Sequence, residues 1–84
     1  MIQNLFFTNL AKLVIYHRKQ SGLSRIDLAQ MAGVGKTVLY DIEHAKPTIR
    51  LDTLIKILDV LNITIELKGP LMQINSDIIS NEKS

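Results

Sequence analysis

The chain has 84 residues, room for one small domain. Apolar residues make up 46% of it, enough for a packed core, and it has no cysteine, which excludes a disulfide framework, a thiolate nucleophile and a cysteine–metal site. Nine of the ten basic and six of the eight acidic residues fall in the first 68, a mild basic lean that suits nucleic acid only if the cations share one face.

The opening "MIQNLFF" lacks the basic region of a secretory signal. No apolar run approaches the roughly 18–20 residues needed to span a bilayer. A soluble, cytoplasmic chain with no membrane contact is expected. Residues 1–7 read as an N-terminal extension ahead of a single domain over 8–68.

The first helix is predicted over "TNLAKLVIYHRKQ", with Thr8 as N-cap. Leu10, Leu13, Val14 and His17 repeat at helical spacing and mark its buried stripe. Arg18 and Lys19 suit its C-terminus, and Gly22 stops it. His17 and His44 are the only histidines and belong to no ligand-spaced cluster, so no metal site is expected. A histidine on an apolar stripe reads as an edge residue with one hydrogen bond.

The second helix starts at Ser24, where Ser24 and Asp27 form a variant capping box. It runs to about Met31, expected to pack, and Gly33 breaks it. The third helix spans about Lys36 to His44 and ends before Pro47. Between them lies Gly35-Lys36-Thr37, the ending of a phosphate-binding P-loop. The P-loop needs its first glycine at position 30, which is Gln30, and a strand before it; the preceding segment has helical spacing. That reading fails.

The fourth helix carries a stripe of Leu51, Leu54, Ile55, Leu58 and Leu61, with Asp52 in its first turn. Then the period changes. In "NITIELK", Ile63, Ile65 and Leu67 alternate with Thr64, Glu66 and Lys68, the pattern of a half-buried strand ended by Gly69-Pro70. A lone strand leaves its backbone unpaired. "IQNLFF" is a weak partner, so a second copy of the chain is expected to supply the pairing across a two-fold axis. The dimer interface is assigned to Leu61, Ile63, Thr64, Ile65, Glu66 and Leu67. Residues 69–84 read as a mobile tail.

Residues 24–44 have the anatomy of a helix-turn-helix. Ala29 permits close approach of two helices, and Gly33 suits a left-handed turn four positions on. Leu28, Val34, Leu39 and Ile42 point inward, so the second helix presents its start to the major groove. Lys36 and Thr37 are assigned to bases or phosphates. Val38 either touches a thymine methyl or packs in the core, and Tyr40 either reaches a phosphate or covers the surface. Ser24, Arg25, the backbone at Gly35, Lys46 and Arg50 are assigned to the DNA backbone. Asp41 would accept from cytosine N4 while repelling phosphate. No nucleophile–base set is present, so neither catalysis nor a cofactor is expected.

The segment "GLSRIDLAQMAGVGKTVLYDIEHAKP" resembles the Cro/C1-type helix-turn-helix proteins, the Xre family. The pattern of that family appears here as Gly22-Leu23-Ser24-Arg25, Leu28-Ala29, Gly33-Val34-Gly35 and Leu39-Tyr40-Asp41-Ile42-Glu43. The likeness continues to Lys68, and a fourth helix followed directly by a terminal strand is similar to the HipB-like antitoxin branch. The resemblance implies an all-α, lambda-repressor-like bundle of four helices with one C-terminal strand pairing across a homodimer. It implies a repressor of its own operon, bound to palindromic double-stranded operator DNA and to a HipA-like serine/threonine kinase toxin, in some systems split into separate chains. The alternatives are a phage-type repressor or restriction controller without a toxin, and a protein-interaction module that has lost DNA binding. Arg25 stands where Gln is usual, Gly35 where Ser or Thr caps the third helix, and Ala45 where Gly is common.

Overall fold

A computed structural model describes residues 2–70 and 73–74. Four helices come first: α1 (Ile2–Gln20), α2 (Arg25–Ala32), α3 (Lys36–Glu43) and α4 (Leu51–Val60). A short hairpin follows, β1 (Leu67–Lys68) and β2 (Gln73–Ile74).

Each helix ends in the same closure. A residue with left-handed backbone follows it: Gly22, Gly33, Ala45 and Asn62, with φ of 73°, 72°, 58° and 59°. The next amide turns back to a carbonyl five residues earlier: Leu23 to Arg18 at 3.1 Å, Val34 to Ala29, Lys46 to Asp41 and Ile63 to Leu58, each at 2.9 Å. These are Schellman motifs, which satisfy the last helical carbonyls. Glycine adopts this backbone freely at 22 and 33; alanine at 45 does so at a steric cost.

The core gathers Val14 from α1, Leu28 and Ala29 from α2, Leu39 and Ile42 from α3, and Leu54, Ile57, Leu58 and Leu61 from α4 and its end. Leu28, Leu39, Ile57 and Val14 are fully buried, each stabilising the fold by about 1.5–3 kcal/mol. α1 packs on α3, and α2 packs on both α3 and α4.

The sequence placed α2 and α3 correctly and misplaced other details. α1 begins at Ile2, so Thr8 is an interior residue and "IQNLFF" is helix, not strand. No glycine or proline interrupts the chain before Gly22, so nothing stops the helix earlier. Leu13 lies outside the buried stripe, whose phase runs through Val14 to Arg18. On α4, Leu51 and Ile55 are exposed and Ile57 is buried instead. Met31 is exposed rather than packed.

The strand is shorter than its alternation suggested. Residues 63–66 belong to no ladder. β1 pairs antiparallel with β2 in the same chain, Leu67 opposite Ile74 and Lys68 opposite Gln73. The chain therefore does offer a partner strand of its own, too short to show a period. The remaining residues of the expected tail, 71–72 and 75–84, lie outside the described residues. Leu61 packs in the core of its own chain and Ile63 against it, which leaves Thr64, Ile65, Glu66 and Leu67 exposed among the expected interface residues.

Candidate nucleic-acid interface

The start of α2 is fixed by its capping box. Ser24 Oγ accepts from the Asp27 amide at 3.0 Å, and the Ser24 amide donates to Asp27 Oδ2 at 3.4 Å. Arg25 is thereby held as the first helical residue. α3 starts differently. Gly35 is its N-cap, in extended conformation, and no side chain bonds its first turn. The free donors of that turn suit an external anion. The segment before Gly35 is α2 and its turn, so Gly-Lys-Thr lacks the strand a P-loop requires.

Two grooves flank α3. The larger, about 590 Å3, is lined by Arg18, Ser24, Arg25, Ile26, Lys36, Thr37 and Tyr40. The smaller, about 150 Å3, is lined by Val38, Asp41, Thr48, Ile49, Arg50 and Thr53. The expected contacts thus divide between the two sides of one helix. Ser24, Arg25, Lys36, Thr37 and Tyr40 meet in the first groove beside Gly35. Val38, Asp41 and Arg50 meet in the second, and Lys46 reaches Asp41 at 3.7 Å. Val38 is half-buried and packed against the core, so it has little surface for a base.

Sequence reasoning missed the group that ties these elements together. The Glu43 side chain is fully buried. Its Oε2 accepts from Arg18 Nε at 2.6 Å; its Oε1 accepts from Arg18 Nη2 at 3.0 Å and from Arg25 Nε at 2.8 Å. Arg18 also donates to the Leu23 carbonyl at 2.9 Å. Burial pushes the Glu43 carboxyl up, but the hydrogen bonds and positive charge of the two arginines outweigh it and hold the carboxyl below its ordinary range. Spacing carried only part of the signal, because Leu13 offers α1 a competing phase. Arg18 lies four residues after Val14, and Glu43 four after Leu39, so each falls in a buried phase. A buried cation requires a buried anion.

Arg25 keeps 44% of its side chain exposed while Glu43 holds its Nε. Its guanidinium lies 5.9 Å from the centre of the Tyr40 ring, and that ring stacks on His44 at 3.8 Å. Three expected phosphate contacts already face carboxylates: Arg25 on Glu43, Lys46 on Asp41 and Arg50 on Asp52, the last at 3.0 Å. Lys36 has no carboxylate partner among the described residues. It is the least compensated cation at the start of α3.

This arrangement, a capped helix, a three-residue turn and a second helix offering its start between two polar grooves, has relatives. The family model HTH_3, described as Helix-turn-helix, matches residues 14–68. The chain belongs to this helix-turn-helix family. Like its family, it is a DNA-binding transcriptional regulator and not an enzyme. It is 32% identical over 62 residues to an uncharacterized HTH-type transcriptional regulator, y4mF, of Sinorhizobium fredii (strain NBRC 101917 / NGR234), across 74% of this chain and 82% of that protein. It resembles an HTH_3 family transcriptional regulator from Vibrio cholerae with a TM-score of 0.66 and 32% identity, over 74% of this chain. The match spans about a third, 35%, of the Vibrio cholerae chain. HipB in the HipA–HipB–O2–O3 complex matches with a TM-score of 0.67 and 26% identity, over 76% of this chain and 90% of that one. A HipB variant bound to an O2 20mer matches equally well. Among the described residues, no helix of this HTH_3 chain is long and apolar enough to cross a membrane, and no group of side chains is placed to hold a metal.

Proposed function

We propose that this HTH_3 chain is the antitoxin and autorepressor of an operon encoding a HipA-like serine/threonine kinase. The observation that carries the reading is the likeness to HipB in complexes with DNA and with HipA, which covers nearly the whole of HipB. The sites follow from the grooves. Lys36 and Thr37 enter the major groove, and Arg25, Ser24, Tyr40 and the Gly35 backbone grip phosphates on one side. Asp41, Lys46 and Arg50 face the other side, where Asp41 accepts from a cytosine amino group. The regulator works in the cytoplasm as a homodimer on a palindrome, with half-sites about one helical turn or a multiple apart. Exposed Leu51, Ile55, Ile65 and Leu67 give the C-terminal half apolar surface for that dimer, and the β1–β2 hairpin extends across the two-fold axis.

The test is fluorescence anisotropy on DNA from upstream of the gene, in a salt series, against scrambled DNA. Two chains per site, binding confined to the upstream DNA and a log–log salt slope near −4 to −5 per subunit support the repressor. A kinase-like reading frame next to the gene, whose product co-purifies with this chain, supports the antitoxin. Its absence favours a phage-type repressor or restriction controller. Equal, weak binding to both DNAs favours an interaction module, a reading that the carboxylate-paired cations motivate.

A further inference from the structure

α1 carries apolar side chains on two faces. One face, with Leu10, Ala11 and Val14, is turned to the interior. On the other, Leu5, Phe6, Leu13 and Tyr16 are 61%, 58%, 40% and 60% exposed. Phe6, Asn9, Leu13, Tyr16 and Gln20 recur at alternating three- and four-residue steps. That is the a/d spacing by which one helix seats its side chains in another. A helix apolar on both sides has a second surface to bury.

The flanks of this seam indicate what covers it. α1 has no Asp or Glu. Exposed Lys12 and Lys19 occupy two g positions after Leu5 at the first, and half-buried His17 and the core-packed Leu10 occupy the e positions. Parallel pairing of two α1 helices would set Lys12 against the His17 of a second copy. Antiparallel pairing would set lysine against lysine. The antiparallel arrangement disfavours self-association and the parallel one gains no attraction from it, while an acidic flank is attracted to either lysine.

We propose that the outer face of α1 docks an amphipathic helix of a partner protein, apolar along its seam and acidic along the flank that meets Lys12 and Lys19. This surface is separate from DNA binding, because none of Leu5, Phe6, Leu13 and Tyr16 lines either groove beside α3.

The experiment uses the full chain and two labelled peptides of three heptads. Both carry Leu at a and d; one carries Glu at e and g, the other Lys. Binding is followed by anisotropy. The Glu peptide is expected to bind at least tenfold more tightly than the Lys peptide and to weaken in high salt. Leu13→Glu and Tyr16→Glu are each expected to weaken it at least tenfold, with folded-state circular dichroism and affinity for upstream DNA unchanged. Equal affinity for the two peptides overturns the proposal, as does a Glu peptide that fails to bind. Sedimentation in which Leu13→Glu converts a dimer to monomers also overturns it, because a second copy is then the occupant.

Discussion

The two sides of α3 treat charge in opposite ways. On one side, Glu43 is buried and shared by Arg18 and Arg25. On the other, Asp41 with Lys46 and Asp52 with Arg50 pair at the surface. The chemistry is the same and the environment is not. A buried pair cannot lose one partner without stranding the other, whereas a surface pair exchanges its partner for water or for a phosphate at little cost. The buried side therefore fixes where α3 stands relative to α1 and α2. The exposed side holds cations available for exchange.

The largest break in this contrast comes from Glu43→Gln, which strands the buried Arg18 and releases the half-exposed Arg25. It is expected to lower stability by about 3–5 kcal/mol, read by urea unfolding. Its pH dependence has a definite sign. The folded carboxyl titrates below its ordinary value of 4.5, so its stabilisation is complete above that value. It is lost as the pH falls through the folded pKa. The difference between native chain and variant therefore shrinks below about pH 4.5, and a constant difference down to pH 3 contradicts the assignment.

Lys36→Ala is expected next, costing about 1–3 kcal/mol in operator affinity for a base contact, or a uniform loss with a salt slope smaller by about one for a phosphate contact. Operator titrations at several salt concentrations separate the two. Urea unfolding should leave its stability within about 0.5 kcal/mol of the native chain, because Lys36 is exposed.

On the exposed side, Ala45→Gly sharpens the contrast. It removes the left-handed strain at φ 58° between the paired Asp41 and Lys46, and is expected to raise stability by about 0.5–1 kcal/mol in thermal unfolding. The smallest effect belongs to Asp41→Asn. Stability is expected to change by less than about 1 kcal/mol. Non-specific DNA affinity rises and the salt slope steepens by about one, as Lys46 is freed for phosphate. An unchanged slope means that Lys46 never reaches DNA.

The helix-turn-helix was legible because its determinants are local. A capping box at Ser24 and a left-handed glycine at 33 lie within ten residues of each other, and both did what their chemistry dictates. The buried phase of α1 was not legible. Leu10, Leu13 and Val14 satisfy the helical period, yet Leu13 faces out and Arg18 faces in. Apolar residues on two faces leave the period ambiguous, and only the partner helix decides. The Arg18–Glu43 pair spans 25 residues, beyond any local pattern. The expected contacts divide between two grooves, and their carboxylate partners, Glu43 for Arg25 and Asp52 for Arg50, were visible only in three dimensions. The two-residue strand β2 is too short for alternation to register.

The turn between α2 and α3 has three residues, closed by the Val34-to-Ala29 bond, and α3 gives the core two of its buried side chains, Leu39 and Ile42. The surface proposed to meet DNA and the structural anchor are thus opposite sides of eight residues. Such a helix cannot open without dissolving the interior it helps to build. Its amides beyond the first turn should exchange with solvent at the rate of whole-domain unfolding, together with those around Leu28 and Ile57. α3 is therefore expected to melt as one cooperative unit with the core, and heat should abolish DNA binding at the same midpoint at which it abolishes the fold.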